Sequence, residues 1–306
     1  MIEIPETTPF RAGYVAIVGE PNVGKSTLMN ALLEQKISIV TKKPQTTRQR
    51  VLGIATDDES QMMFLDTPGL LEPRYLLHEK MLMVASRALE DADVILVLTE
   101  PSRGTQLPDQ VNKLVLSRHS AKPLILVINK ADTVARETLL PLIEGFAGMK
   151  VFGDIVPISA LRGENINTLR SVLKQSLPVH PAFYPDDVLS EQPERFFAAE
   201  LIREAIFEQF QEEIPYSTAV EIREFKEREE GKTYINADIV VERESQKGII
   251  IGKKGAALKR IGQTARIRIE RFIQKPVFLD LHVKVGERWR SKESWMKRLG
   301  YESETT

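Results

Sequence analysis

The 306-residue chain contains no cysteine. Disulfide cross-links and thiolate chemistry are therefore excluded, and a reducing compartment suits it. Long apolar runs are missing as well. The longest, such as Val94–Leu98 and Leu124–Ile128, hold five residues, against the roughly 18–20 that a membrane-spanning helix needs. The opening stretch, MIEIPETTPFRAG, has neither an apolar core nor a cleavage signature, so no signal peptide is read. The four histidines (His78, His119, His180 and His282) are scattered and have no thiol partners, so no zinc site is expected. There is no internal repeat and no low-complexity tract. The net charge of −1 excludes no class of partner, and only its local distribution is informative. A soluble, cytoplasmic, monomeric protein is expected.

What the chain does have is alternation. Short β-branched runs at 14–19, 62–66, 94–98, 124–129 and 151–159 are separated by helical patterns near 25–34, 75–90, 106–118, 135–147 and 165–177. Uniformly apolar strands between helices imply a mostly parallel sheet covered on both faces, an α/β domain over 12–177 after a tail of 1–11. Four prolines then interrupt 177–194, which predicts a linker over 178–195. From 196 to 306 the order becomes α-β-β-α-α-β: a helix at 196–212, strands at 216–227 and 233–243, a short helix, a longer one at 255–273 and a strand at 277–285. A last short helix is expected at 293–299. This describes a small α+β domain.

The first strand ends in GEPNVGKS, Gly19 to Ser26, and a helix follows. That is the context in which G-x-x-x-x-G-K-[ST] binds nucleotide phosphates, since the glycines let backbone N–H groups face the ligand at a helix N-terminus. Asn22, Val23, Gly24, Lys25, Ser26 and Thr27 form the expected cradle, with Lys25 reaching the β- and γ-phosphates and Ser26 ligating Mg²⁺. The base is chosen by NKAD, Asn129 to Asp132. The Asp132 carboxylate accepts from guanine N1–H and N2–H, and adenine offers neither donor there. Asn129, Lys130, Ser159 and Ala160 complete the base site, Ala160 by its N–H to guanine O6. In DTPG, Asp66 is expected near Mg²⁺ and Gly69 at the γ-phosphate. In PQTTRQR, Thr47 is the expected further Mg²⁺ ligand, with Thr46 the alternative. Lys25, Thr47 and Gly69 are the candidate catalytic groups. Leu70 follows DTPG, so no glutamine is available to position water.

A second glycine loop, GKKG, spans Gly252 to Gly255. It lacks the four-residue gap, has no following hydroxyl and lies between helices, so it is no second nucleotide site. G-x-x-G between helices is the signature of KH domains, where the loop clamps a single-stranded nucleic-acid backbone. Gly248, Ile251, Gly252, Lys253, Lys254, Gly255, Leu258 and Lys259 are the candidate RNA contacts, with Ile249–Ile251, Leu258 and Ile261 as an apolar groove. The charge map agrees. Residues 196–246 hold 6 basic and 13 acidic side chains, whereas 247–298 hold 15 basic and 4 acidic. A local balance of +11 points to a polyanion-binding face.

The first half resembles the translation-factor-like GTP-binding domains over 12–177. The two halves together resemble the bacterial Era GTPases over nearly the whole chain. The resemblance implies a type II KH domain, GTP and GDP as ligands, slow GTP hydrolysis, and binding of small-subunit (16S) ribosomal RNA near its 3′ end in support of 30S assembly. It also implies that Asn22 helps bind K⁺ in place of an arginine finger; the alternative is that Asn22 only stabilises its turn. Two other readings stand beside it. One is a GTP-sensing RNA scaffold with little turnover. The other is a regulator lying peripherally on the cytoplasmic face of the inner membrane through RWRSKESWMKRLG, which carries Trp289 and Trp295.

Overall fold

The computed structural model describes residues 9–41, 43–116, 121–228 and 231–301. His119, most of the expected N-terminal tail and the last residues of the chain lie outside them. Two compact units are present. The first comprises Met1–Ser38, Thr47–Glu72 and Leu82–Glu191; the second comprises Ile39–Thr46, Pro73–Met81 and the chain from Gln192 onward.

The first unit is built on a six-stranded sheet of order β2-β3-β1-β4-β5-β6, with β1 Arg11–Gly19, β2 Val51–Thr56, β3 Ser60–Asp66, β4 Val94–Thr99, β5 Leu124–Ile128 and β6 Asp154–Pro157. All pairs are parallel except β2–β3. Every residue of β3, β4 and β5 is buried, as a sheet covered on both faces requires. The helices are α1 Lys25–Leu33, α2 Leu76–Asp91 (from Leu82 onward), α3 Asp109–Val111, α4 Arg136–Ala147 and α5 Ile166–Ser176. Three expectations need correction. The β2 strand was not expected from the sequence. The last strand is four residues long and does not fill 151–159. The helix expected at 106–118 is one α turn running into a wider π-type turn, Asn112–Leu116, and its end lies outside the described residues.

The proline-bearing stretch after α5 has no helix or regular strand, but it is not loose chain. Leu189 offers its carbonyl to the Ile54 N–H at 2.9 Å, and Gln61 bonds the backbone of Phe183 and Tyr184. The open edge of β2 is thus covered, which suppresses edge-to-edge pairing.

The second unit contains α6 Glu194–Gln209, α7 Ile214–Ser217, β7 Ala219–Lys226, β8 Thr233–Val241, α8 Glu244–Ile251, α9 Ala256–Ile273, β9 Val277–Val285 and α10 Glu293–Arg298. The start of the strand expected at 216–227 is taken by the α7 turn, where Pro215 favours the first turn of a helix. The sheet runs β7-β8-β9, antiparallel then parallel. Its core side buries Ile235, Ala237, Ile239 and Val277 with Ile202, Ile206, Ile261, Ala265 and Ile269. Residues 39–46 join this unit: Ile39 enters the same core, and the Val40 N–H donates to Glu204 at 3.1 Å. The Lys43 ammonium donates to the Phe207 and Phe210 carbonyls. A cation at the C-terminal end of α6 meets carbonyls that have no partner in the helix.

Candidate nucleotide site and nucleic-acid interface

The nucleotide site lies at the carboxyl ends of β1, β3, β5 and β6, where an open α/β sheet binds its ligands. The chain turns from β1 into α1 with three residues at positive φ: Gly19 at 154°, Asn22 at 65° and Gly24 at 99°. Gly24 has no space for a side chain, because a Cβ would sit 2.2 Å from Asn129 Nδ2. Gly69 is equally tight, with Pro21 N 2.7 Å from where its Cβ would lie. Asn22 adopts a left-handed conformation that asparagine tolerates.

Lys25 is buried and donates to the Gly19 carbonyl at 3.2 Å and the Glu20 carbonyl at 2.9 Å. Burial lowers its pKa to about 8, against the opposing pull of Asp66 and Glu20. Its charge awaits an anion.

The oxygens expected around Mg²⁺ do converge. Ser26 Oγ lies 2.7 Å from Asp66 Oδ2 and 2.9 Å from Thr47 Oγ1, and Thr47 Oγ1 lies 3.4 Å from Asp66. Asp66 is fully buried, and its Oδ1 has no hydrogen-bond partner among the described residues. Burial pushes the Asp66 carboxyl up. Three hard oxygen donors with an orphaned carboxylate oxygen fit Mg²⁺. Thr46 is directed elsewhere: its hydroxyl bonds Thr41 Oγ1 at 2.7 Å and the Lys43 carbonyl at 2.8 Å. Of the two threonines, Thr47 is the one beside Ser26 and Asp66.

The base loops are tied together by Asn129. Its Nδ2 donates to the Val23 carbonyl at 2.8 Å, and its Oδ1 accepts from the Ala160 N–H at 3.0 Å. One side chain thereby holds the phosphate loop, NKAD and ISA in fixed relation. Ser159 is buried and closes a two-way backbone bridge with Glu164. Lys130 pairs with Glu100. The Asp132 carboxylate is 3.2 Å from Arg162 Nε. The sequence reading missed Arg162; its place two residues after ISA was the available signal. Leu70, by contrast, is buried in the apolar core with Ala16, Val18 and Ile95, and its N–H donates to the Gly19 carbonyl at 3.0 Å. Thr27 lies in the first turn of α1.

In the second unit, α8 and α9 are joined through GKKG. Gly252 has φ 70° and ψ 176°, a region essentially restricted to glycine, and a Cβ there would meet the Ala257 Cβ at 2.6 Å. Lys254 and Gly255 have φ 51° and 75°. The Gly252 N–H caps α8 by donating to the Gly248 carbonyl, and the Gly255 N–H returns to Gly252. Beside this loop opens a groove of about 500 Å³ lined by Gly255, Leu258, Lys259, Gly262, Gln263, Arg266, Leu279 and Leu281. Its apolar floor differs from the one expected. Ile250 and Ile261 are fully buried in the core, and the leucines of β9 take their place. Ile249 is exposed and Ile251 half-buried. Trp289 is also buried, donating its indole N–H to the Ser217 carbonyl at 2.8 Å.

Residues 14–130 match the family model described as a 50S ribosome-binding GTPase, and residues 213–290 match that of the KH domain. Fold and site together define a P-loop GTPase joined to a KH RNA-binding domain. The chain is 46% identical to GTPase Era of Geobacter metallireducens over 96% of its length and 98% of that protein, and 41% identical to GTPase Era of Clostridium botulinum over 96% and 99%. The chain belongs to the Era family of GTPases. A crystal structure of Era in complex with MgGDPNP and nucleotides 1506–1542 of 16S ribosomal RNA superposes with a TM-score of 0.92 at 41% identity, covering 95% of this chain and 99% of that one. A variant of Aquifex aeolicus Era bound to GDP·AlF₄⁻ gives 0.91, with the same identity and coverage.

Proposed function

We propose that the chain hydrolyses GTP and holds single-stranded ribosomal RNA, at the 3′ end of the 16S molecule, in support of small-subunit assembly. The observation that carries the RNA part is the clamp. GKKG places Gly252 in a glycine-only backbone region beside a groove with a leucine floor and the cations Lys259 and Arg266. Phosphates fit the cationic loop and unstacked bases fit the apolar floor.

In the nucleotide site, Lys25 exchanges its two carbonyl partners for phosphate oxygens. Asp132 accepts from the guanine edge, which requires Arg162 to share or release it. Ser26, Thr47 and Asp66 would hold Mg²⁺, which when bound offsets charge on the phosphate oxygens. Rate acceleration rests on such placed charges, because the buried Leu70 side chain offers no polar group to water. The K⁺ role of Asn22 belongs to this reading. Exchanging K⁺ for Na⁺ is expected to slow the natural protein more than the Asn22→Ala variant, measured as phosphate release. Peripheral membrane contact has lost one of its two aromatic anchors, since Trp289 is in the core.

The test of the RNA part is filter binding of a 3′-terminal 16S fragment against a scrambled fragment. Changing Lys253 and Lys254 together to Asp is expected to weaken binding strongly while GTP affinity stays unchanged. Retained binding would reduce GKKG to a helix corner.

A further inference from the structure

The second unit carries an aromatic surface that the clamp does not use. Residues of β9 alternate across the sheet. Leu279 and Leu281 line the groove on the helix side, while Phe278, Asp280 and His282 stand on the opposite face. The parallel register sets Tyr234 beside Phe278, Asn236 beside Asp280 and Asp238 beside His282. One end of this outer face is covered: Trp295 packs against Gly286, Arg298 pairs with Glu221, and Lys284 pairs with Asp238. The other end is open. There the rings of Tyr234 and Phe278 lie nearly parallel, with centroids 5.9 Å apart and an interplanar angle of 18°. Phe278 is 55% exposed. Beneath the pair, Asp280 accepts from Asn236 Nδ2 at 3.0 Å, from the Tyr234 hydroxyl at 3.4 Å and from His282 Nε2 at 3.2 Å. These bonds hold Tyr234 in place.

We propose that Tyr234 and Phe278 form a base-stacking platform for single-stranded RNA that has left the groove over the edge of β9. The inference rests on the RNA-binding reading of the groove. Three observations favour this occupant. β9 is the outermost strand of its sheet, so no neighbouring strand blocks the way from one face to the other. Groove and platform each take alternate residues of that strand, Leu279 and Leu281 on one face and Phe278 on the other, and roughly two or three nucleotides span the thickness between them. The rings are paired and parallel, the arrangement on which successive bases stack. Asp280 keeps phosphates turned outward, so the bases rather than the backbone lie against the rings. Stacking is tolerant of sequence. The platform therefore adds length and affinity to binding, and the groove retains the selectivity.

The test uses the full chain and two single-stranded oligoribonucleotides sharing one core sequence. One has about four nucleotides, the number a KH clamp holds; the other is extended on both sides to about ten. The variants are Phe278→Ala with Tyr234→Ala, and Phe278→Trp alone. The double variant is expected to lose about 5- to 150-fold in affinity for the long RNA, the effect of one stacked base, and nothing for the short one. Phe278→Trp is expected to retain long-RNA affinity. Equal loss on both lengths would mean that the change acts through the groove, and the platform would be abandoned. No loss on either length would leave the face to a protein partner and would also overturn the proposal. The Lys253→Asp, Lys254→Asp protein is the separate control, because it must lose both RNAs if the groove binds RNA at all.

Discussion

Asn129 shows how a single side chain sets a geometry that three motifs share. Its amide donates to the phosphate loop and its oxygen accepts from Ala160, so an error in either loop is felt at the other. Asp132 is placed by the same loop, and the choice of base is proposed to rest on it. Asp132→Asn is expected to weaken GTP by about 10- to 100-fold, the loss of one or two hydrogen bonds to a charged acceptor. It should improve xanthosine triphosphate, whose 2-oxo group accepts from the new amide. Competition between the two nucleotides checks this, and unchanged preference would reject the assignment. Leu70 makes a contrasting case. As the residue after DTPG it invites a role in the chemistry, yet its side chain is a core side chain. Leu70→Ala is therefore expected to cost about 2–5 kcal/mol of stability through the cavity it leaves. The turnover of the folded protein should change only a few-fold. Thermal melting and phosphate release measured on the same preparation separate the two effects.

At the scale of elements, the two glycines of the clamp are not equivalent. Gly252 occupies a backbone region that other residues avoid and has Ala257 against it, whereas Gly255 is left-handed with open space around it. Gly255→Asn is expected to leave the melting temperature nearly unchanged. Gly252→Asn should cost about 1–3 kcal/mol and lower the melting temperature of the isolated chain by several degrees. The parts legible in sequence were those where local pattern and tertiary role agree. β4 and β5 are apolar because both their faces are covered, and the glycine loops appear because Gly24 and Gly252 sit where no side chain fits. β2 was illegible because VLGIAT has a glycine at its centre, and its pairing with β3 depends on distant chain, including the Leu189 carbonyl, to close its edge. The floor of the groove beside GKKG was misread for a related reason. Isoleucines next to GKKG are neighbours in sequence, but helical periodicity turns Ile250 and Ile261 inward. β9, some twenty residues further on, brings the leucines that line the opening. The Ser26–Thr47–Asp66 cluster was legible as motif chemistry, while Arg162 carried no motif of its own and emerged only from its distance to Asp132.

Across the whole molecule, charge is segregated rather than scarce. RNA binding through the second unit should therefore depend steeply on salt, even though the chain is near neutral overall. Each phosphate contact contributes about 0.7 to the slope of log affinity against log salt for a single strand. Replacing Lys253 and Lys254 by Asp is expected to flatten that slope by about one to two, measured from 50 to 400 mM salt on the ribosomal fragment. GTP affinity, governed by buried groups of the first unit, should be left alone by the same substitutions.

The packing of α6 against α9 has a further consequence. α6 carries Glu194, Glu200, Glu204 and Glu208 beside Arg195 and Arg203, and α9 carries Lys259, Arg260, Arg266, Arg268 and Arg271 beside Glu270. Arg203 pairs with Glu200 and Arg268 bridges to Glu204 and Glu208, so the acidic charge of α6 is largely matched, whereas α9 keeps an excess of cations. The charge of the unit is thus lopsided toward α9. In the field of a polyanion it experiences a torque as well as a pull, and it arrives with the α9 side already turned toward the strand. The same property makes the protein misbehave in purification. At a pH just above its isoelectric point of about 6.5, where titration gives a net negative chain, it should still be retained on a sulfonate resin and on heparin.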